Sequence, residues 1–244
     1  MRGTVLRTAI AAAILVAGGG SLAAGPTSSI AAILADPSRP EADRVRDADR
    51  KPGELIAFAK LHPGASVAEL APGGGYFTRL LSAFVGPKGH VYPVAGHPSP
   101  ALTEIAASHA NVAIIAGAPG EINAPAPVDM VWTTLNYHDF KNSKQGDTDA
   151  AVLFNRAAFK ALKPGGIYLI VDHQAAPGAG ATVTSTLHRI EETVVKQEVE
   201  AAGFKLDGES DLLRHPADDH SLKVVETGIR GKTDQFTLRF RKPG

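Results

Sequence analysis

Cysteine is absent from all 244 residues, which excludes disulfide staples and thiolate metal sites and is compatible with an oxidising compartment. A surplus of either charge is missing too, since 25 Lys and Arg face 25 Asp and Glu. That balance gives the chain no pull toward nucleic acid or an anionic membrane, so the expected partner is a small molecule or a protein. Long hydrophobic runs are also lacking. The N-terminal run at residues 9–17 is too short for a hydrocarbon layer of ~30 Å at ~1.5 Å per residue. There is no internal repeat. A hydrophobic fraction of 44% is nonetheless ample for one sizeable buried core.

The first segment reads as an export signal. Arg2 and Arg7 precede the short apolar run, and Ser21-Leu22-Ala23 offers small residues for cleavage. Residues 1–23 are the expected leader, with cleavage after Ala24 or Ala35 as alternatives. Loss of Arg2 and Arg7 takes the formal charge from 0 to −2. The mature chain is expected in the periplasm, without an integral membrane segment.

Beyond the leader, residues 36–64 read as a helical extension and 65–244 as one α/β domain. A charged helical stretch spans Glu41–Arg50, and Pro52 stands where a first-turn proline starts another helix. Short apolar runs then alternate with longer periodic ones, the pattern of a parallel sheet with crossover helices. Strands are predicted at Ser66–Leu70, His90–Val94, Val112–Ala116, Met130–Thr133 and Ile167–Asp172. Predicted helices are Tyr76–Phe84, Pro100–Ser108, Ala150–Leu162 and Thr186–Ala202. Two further strands, Lys205–Leu212 and Gln235–Arg241, bring the doubly wound sheet to seven.

The densest signal is Glu69-Leu70-Ala71-Pro72-Gly73-Gly74-Gly75-Tyr76, where a buried strand ends in an acid and a glycine turn leads straight into a helix. Glycines let backbone approach a ligand without a Cβ in the way, and a helix N-terminus offers free N–H groups to an anion. This stretch resembles motif I of class I S-adenosylmethionine-dependent methyltransferases, with Ala71 in place of the first glycine. Asp129–His138 resembles that family's fourth-strand motif. Phe159–Asp172 is similar to its helix, Lys-Pro-Gly-Gly turn and fifth strand. The tail segments Pro216–His220 and Ile229–Phe236 resemble an exported, predicted-methyltransferase family of Gram-negative bacteria.

The resemblance implies a Rossmann-like seven-stranded sheet with a C-terminal antiparallel pair, and S-adenosylmethionine as cofactor. It assigns the cofactor to Glu69, Ala71, Pro72, Gly73, Gly74, Gly75 and Tyr76. Two departures stand out. The second strand runs into Val94-Ala95-Gly96-His97 rather than an acid for the ribose, and Gly117-Ala118-Pro119 supplies no Asp for the adenine amine.

Tyr137, His138 and Asp139 fall at the carboxyl end of the fourth strand and are the candidate catalytic residues. Asp172 and His173 end the fifth, facing the same crevice. His138 is suited to general-base work. His188 with Glu191 or Glu192 has helical spacing, and His215, Asp218, Asp219 and His220 crowd one loop; both suit a cation, but no metal is assigned. Trp132 and Tyr76 are candidate stacking partners for adenine or substrate. The leading expectation is methyl transfer to a small oxygen or nitrogen nucleophile. The alternatives are a ligand-binding or accessory protein on the same fold, and a metal-assisted hydrolase using His138, Asp172, His173 and residues 215–220.

Overall fold

The structure, a computed structural model, describes residues 29–118 and 120–244. The expected leader at residues 1–23 lies outside them.

Four short helices open the described chain: α1 (Ile30–Leu34), α2 (Glu41–Arg44), α3 (Asp47–Arg50) and α4 (Pro52–Phe58). The stretch predicted as one helix is therefore two. Polar contacts hold both pieces in place: Arg39 forks to Asp47 at 2.6 and 2.8 Å within the extension, and from the domain the Tyr76 hydroxyl reaches Asp47 and Arg79 reaches Asp43, each at 2.7 Å. The N-terminal helix is part of the core, for Ile33 is buried beside Leu55 and Leu80.

The domain continues as β1 (Ser66–Leu70), α5 (Tyr76–Val85), β2 (His90–Val94), α6 (Pro100–Ser108), β3 (Val128–Thr134) and α7 (Tyr137–Asn142). A small hairpin, β4 (Lys144–Gln145) and β5 (Thr148–Asp149), leads into α8 (Ala150–Ala161). The chain finishes with β6 (Leu162–His173), α9 (Glu192–Ala201), β7 (Lys205–Ser210) and β8 (Gln235–Arg241). The main sheet has the order β2-β1-β3-β6-β8-β7, parallel from β2 to β6, with β8 and β7 antiparallel.

Buried strands with helices on both faces explain the near-continuous apolar runs. In β6, Ile167, Leu169 and Val171 face the core under α4 and α5, whereas Tyr168 and Ile170 face the one under α7 to α9. No helix among the described residues is long and apolar enough to cross a membrane.

Two expectations are corrected. The predicted strand Val112–Ala116 survives only as isolated parallel bridges, Val91 to Val112 and Val94 to Ile115, so the sheet has six strands rather than seven. Pro93 is the cause. Val91, Pro93 and Ala95 turn their backbone groups toward this edge, and Pro93 accepts from Ile115 but has no N–H to return. The predicted helix Thr186–Ala202 begins only at Glu192. Upstream, Ile190 pairs with the continuation of β6, donating to His173 and accepting from Ala175, and His188 takes a left-handed φ of 55°. His188 thus shares no helix face with Glu191 or Glu192.

Candidate functional site

From β1 the chain steps outward to β2, then returns past β1 to β3. The winding reverses between the carboxyl ends of β1 and β3, the place where open α/β sheets bind ligands. A cavity of about 260 Å³ lies there, lined by Glu69, Gly73 and Gly74 from the glycine turn, Asn136 after β3, and Arg46 and Arg50 from the N-terminal helices. A larger hollow of about 520 Å³ lies along residues 120–127, with Glu121 and Lys160 as its charged lining, and has no such convergence of groups.

The turn obeys the demand the sequence signals. Gly73 and Gly75 take φ of 58° and 80°, and Ala71 itself adopts a left-handed φ of 50°. A Cβ on Gly73 or Gly74 would meet nothing within 4 Å, so open space lies beside the backbone there. Gly75 instead packs toward α6, where a Cβ would stand 2.3 Å from Ile105 Cδ1. Its role is close packing, not lining the cavity. Asn136 closes the opposite wall by donating to the carbonyls of Thr134 and Ala71 at 2.6 and 3.2 Å.

Glu69 is buried at the end of β1 and accepts from Thr78 Oγ1 at 2.6 Å. Burial pushes its carboxyl up to about 7, against the lowering effect of Thr78 and of Arg79 and Arg50. Arg50 is drawn down to about 10, by burial first and by the Arg46 charge second. Among the described residues neither Arg46 nor Arg50 has an ion-pair partner; both guanidiniums stack over the Tyr76 ring, 5.3 and 4.7 Å from its centre. The Tyr76 hydroxyl donates to Asp47. Tyr76 therefore lines the cavity, but its face belongs to arginine rather than to an adenine. Trp132 is fully buried against Phe77 and forms core, not a stacking platform.

At the end of β2, Ala95 and the exposed His97 offer no carboxylate. The loop after residue 117 does hold one: Glu121 accepts from the Ala118 N–H at 3.2 Å.

A second group of polar residues sits at the neighbouring strand ends. Asp172 is fully buried and accepts from the His138 N–H, His138 Nδ1 and the His173 N–H, each at 2.7 Å. Burial works against charging His138, but the Asp172 charge and hydrogen bond outweigh it and raise the imidazole above its ordinary value. Burial would likewise raise Asp172, yet His138 and the backbone donors hold it low. Asp139 turns outward, with Oδ1 3.4 Å from His138 Nε2 and 3.1 Å from His188 Nδ1. His173 bonds Thr233, and burial lowers it to about 4, leaving it neutral.

Tyr137 points elsewhere. Its buried hydroxyl donates to Glu198 and accepts from Asn155, in a network under α8 and α9 that Lys141 completes. The 215–220 loop is also satisfied internally. Arg189 forks to buried Asp218 at 2.8 and 3.0 Å, Asp219 caps Ser221, and His220 and the His215 N–H meet Asp234.

Arg46, Arg50, Thr78, Asn136 and Arg189 escape a reading of motifs. The arginines act on partners distant in the chain, whereas Thr78 meets Glu69 nine residues away and Asn136 falls inside the Asp129–His138 stretch, where nothing singles out its side chain.

No protein-family model and no curated protein matches the chain. Solved structures do. A SAM-dependent methyltransferase from Aquifex aeolicus is 18% identical, covers 87% of this chain and 97% of its own, and superposes with a TM-score of 0.58. An S-adenosylmethionine-dependent methyltransferase from Clostridium acetobutylicum is 13% identical over 80% of this chain and 91% of its own, at 0.55. The 1,6-didemethyltoxoflavin-N1-methyltransferase of Burkholderia thailandensis, solved with 1,6-didemethyltoxoflavin and S-adenosylhomocysteine, is 18% identical over 84% and 79%, at 0.53. At such identities the likeness establishes the fold: a methyltransferase-type α/β sheet with its C-terminal antiparallel pair.

Proposed function

We propose that this chain binds S-adenosylmethionine at the glycine turn and transfers its methyl group to a small oxygen or nitrogen nucleophile. The observation that carries the reading is the charge arrangement of the cavity. A buried carboxyl, Glu69, lines the same cavity as two guanidiniums, Arg46 and Arg50, that have no ion-pair partner among the described residues. An amino-acid zwitterion needs that pair of opposites, an acceptor for its ammonium and donors for its carboxylate. The open space beside Gly73 and Gly74 admits such a group against bare backbone.

When bound, S-adenosylmethionine supplies a sulfonium-activated methyl group, and the protein's share is chiefly alignment. Glu69, Gly73, Gly74 and the arginines would hold the methionine portion. Asn136 fixes the wall between the cavity and α7. His138, held by Asp172 through Nδ1, directs Nε2 toward the acceptor side, where the acceptor's proton leaves. Export, and membership of the exported Gram-negative family, belong to the same proposal. Because Ile33 is core, cleavage after Ala23 or Ala24 keeps α1, whereas cleavage after Ala35 removes it.

The absence of a carboxylate at Ala95 favours a second reading, a ligand-binding or accessory protein with reduced adenosyl affinity. Calorimetric titration with S-adenosylmethionine and S-adenosylhomocysteine decides. Saturable binding that Arg50→Met and Glu69→Ala each weaken about tenfold or more supports the cofactor site. No heat of binding at millimolar ligand overturns it.

A further inference from the structure

We infer a site for a borderline divalent cation such as zinc at the carboxyl ends of β3 and β6, formed by His138 Nε2, Asp139 and His188. Its use on a methyl acceptor rests on the function proposed above; cation binding itself does not.

The argument starts from Asp172. Its carboxylate takes the Nδ1 hydrogen of His138, so the neutral ring carries its lone pair on Nε2. In the neutral ring that lone pair faces Asp139 Oδ1 at 3.4 Å, so the gap takes either the Nε2 proton of an imidazolium or a cation that displaces it. His188 Nδ1 lies 3.1 Å from the same oxygen, and its ring stands edge-on to His138, 5.3 Å between centres. One donor atom from each residue can be chosen so that all three lie within 4.8 Å of one another.

The spacing fits coordination. Ligand atoms about 2.0–2.1 Å from a tetrahedral metal stand about 3.3 Å apart, and the two measured edges straddle that value. Two imidazoles and one carboxylate suit zinc and its neighbours, whereas magnesium and calcium prefer oxygen throughout. Carboxylate to histidine to cation is also the usual outer-shell arrangement of such sites, with Asp172 in the outer role.

The loop that carries His188 is anchored next door. Arg189 is fully buried, donates to the carbonyls of Gln174 and Leu222, and forks to Asp218. The charged cluster at 215–220 thus serves to place His188 rather than to hold a cation itself. Asp139 and His188 remain partly exposed, which leaves coordination positions open toward solvent. An acceptor hydroxyl bound there would lose its proton more readily, the proton passing to solvent; with the cation bound His138 Nε2 is a ligand, and only without it can Nε2 take the proton itself.

The test uses untagged, chelator-treated full-length protein titrated with Zn²⁺ by calorimetry and with Co²⁺ by visible absorption. We expect one equivalent to bind at micromolar concentration or below, with cobalt bands of low coordination number. His188→Ala and Asp139→Asn should each weaken binding at least about tenfold, and Asp172→Asn by about 10- to 100-fold. His215→Ala should leave affinity unchanged. Absence of saturable binding below about 1 mM overturns the site, and so does binding that survives both His188→Ala and Asp139→Asn. Binding of S-adenosylhomocysteine by His188→Ala protein, its fold checked by circular dichroism, separates failure of this site from failure of the cofactor reading.

Discussion

Asp172 grips His138 twice, accepting from its backbone N–H and from its ring Nδ1 at 2.7 Å each, so one fully buried carboxylate sets both the start of α7 and the orientation of the imidazole. A charge taken so completely out of water is tolerable only with this many donors. In metal-free protein, Asp172→Asn should therefore cost about 2–3 kcal/mol in urea unfolding, since its amide brings hydrogen to where donors already point.

The same pair fixes two ends of a pH window. His138 is raised, so its contribution is complete below the ordinary histidine value and fades as pH climbs through the folded one. Asp172 is lowered, so its contribution stands above the ordinary carboxylate value and is lost as pH falls through the folded one. A variant that retains the wild-type slope at both ends would show that the pair is not coupled to folding.

Glu69 works in the opposite sense to Asp172. Its folded value of about 7 lies above the ordinary 4.5, so folding favours the protonated acid. Its contribution is complete below about pH 4.5 and declines toward pH 7, by up to about 3 kcal/mol. Glu69→Gln should flatten this decline. Ligand binding should run the other way, because only the ionised carboxylate attracts an ammonium. S-adenosylmethionine should bind more tightly at pH 8 than at pH 6, and Glu69→Gln should abolish the difference. A pH-independent wild type would remove Glu69 from the ammonium's surroundings.

The glycine turn separates fold from ligand. Gly75→Ala places a Cβ 2.3 Å from Ile105 at a left-handed φ, and should cost about 2–4 kcal/mol. Gly74→Ala meets open space, so its melting temperature should stay near wild type while S-adenosylhomocysteine binding falls. If both variants melt alike, the turn is more pliable than its packing implies.

Much of this architecture was legible before any coordinates. Ser66–Leu70, His90–Val94, Pro100–Ser108 and Gln235–Arg241 are bounded as their periodicity and their Gly and Pro stops imply. The failures share one physical origin, tertiary hydrogen bonding. Val112–Ala116 has strand character, but Pro93 on the adjacent strand withholds a ladder bond. Leu187–Glu191 has helical spacing, yet Ile190 finds a better partner in the extension of β6. At the site, Glu69 and the turn announce themselves locally. Arg46 and Arg50 reach the cavity across about twenty residues of chain, and Arg189 meets Asp218 across 29, distances at which a single sequence carries no pairing signal.

On the proposed cofactor reading, what the ends of β2 and of the residue 117 loop lack sets the expected affinity. Ala95 stands where an acid would take the ribose hydroxyls, and Ala118 leaves the adenine amine to backbone, water or the nearby Glu121. If Glu121 does not serve the amine, two missing contacts at ~1 kcal/mol each weaken binding by roughly 30-fold relative to a fully equipped site; if it does, the one at Ala95 weakens it about fivefold. S-adenosylhomocysteine should accordingly bind in the micromolar to millimolar range, and Ala95→Asp should tighten it about five- to tenfold. The new carboxylate would sit at the end of β2 on a partly exposed loop, so it costs little to introduce. Nanomolar binding by the wild type would mean that another group, with His97 the nearest candidate, already holds the ribose. If Ala95→Asp restores nothing and neither protein binds at millimolar ligand, the fold is serving a ligand other than an adenosyl cofactor.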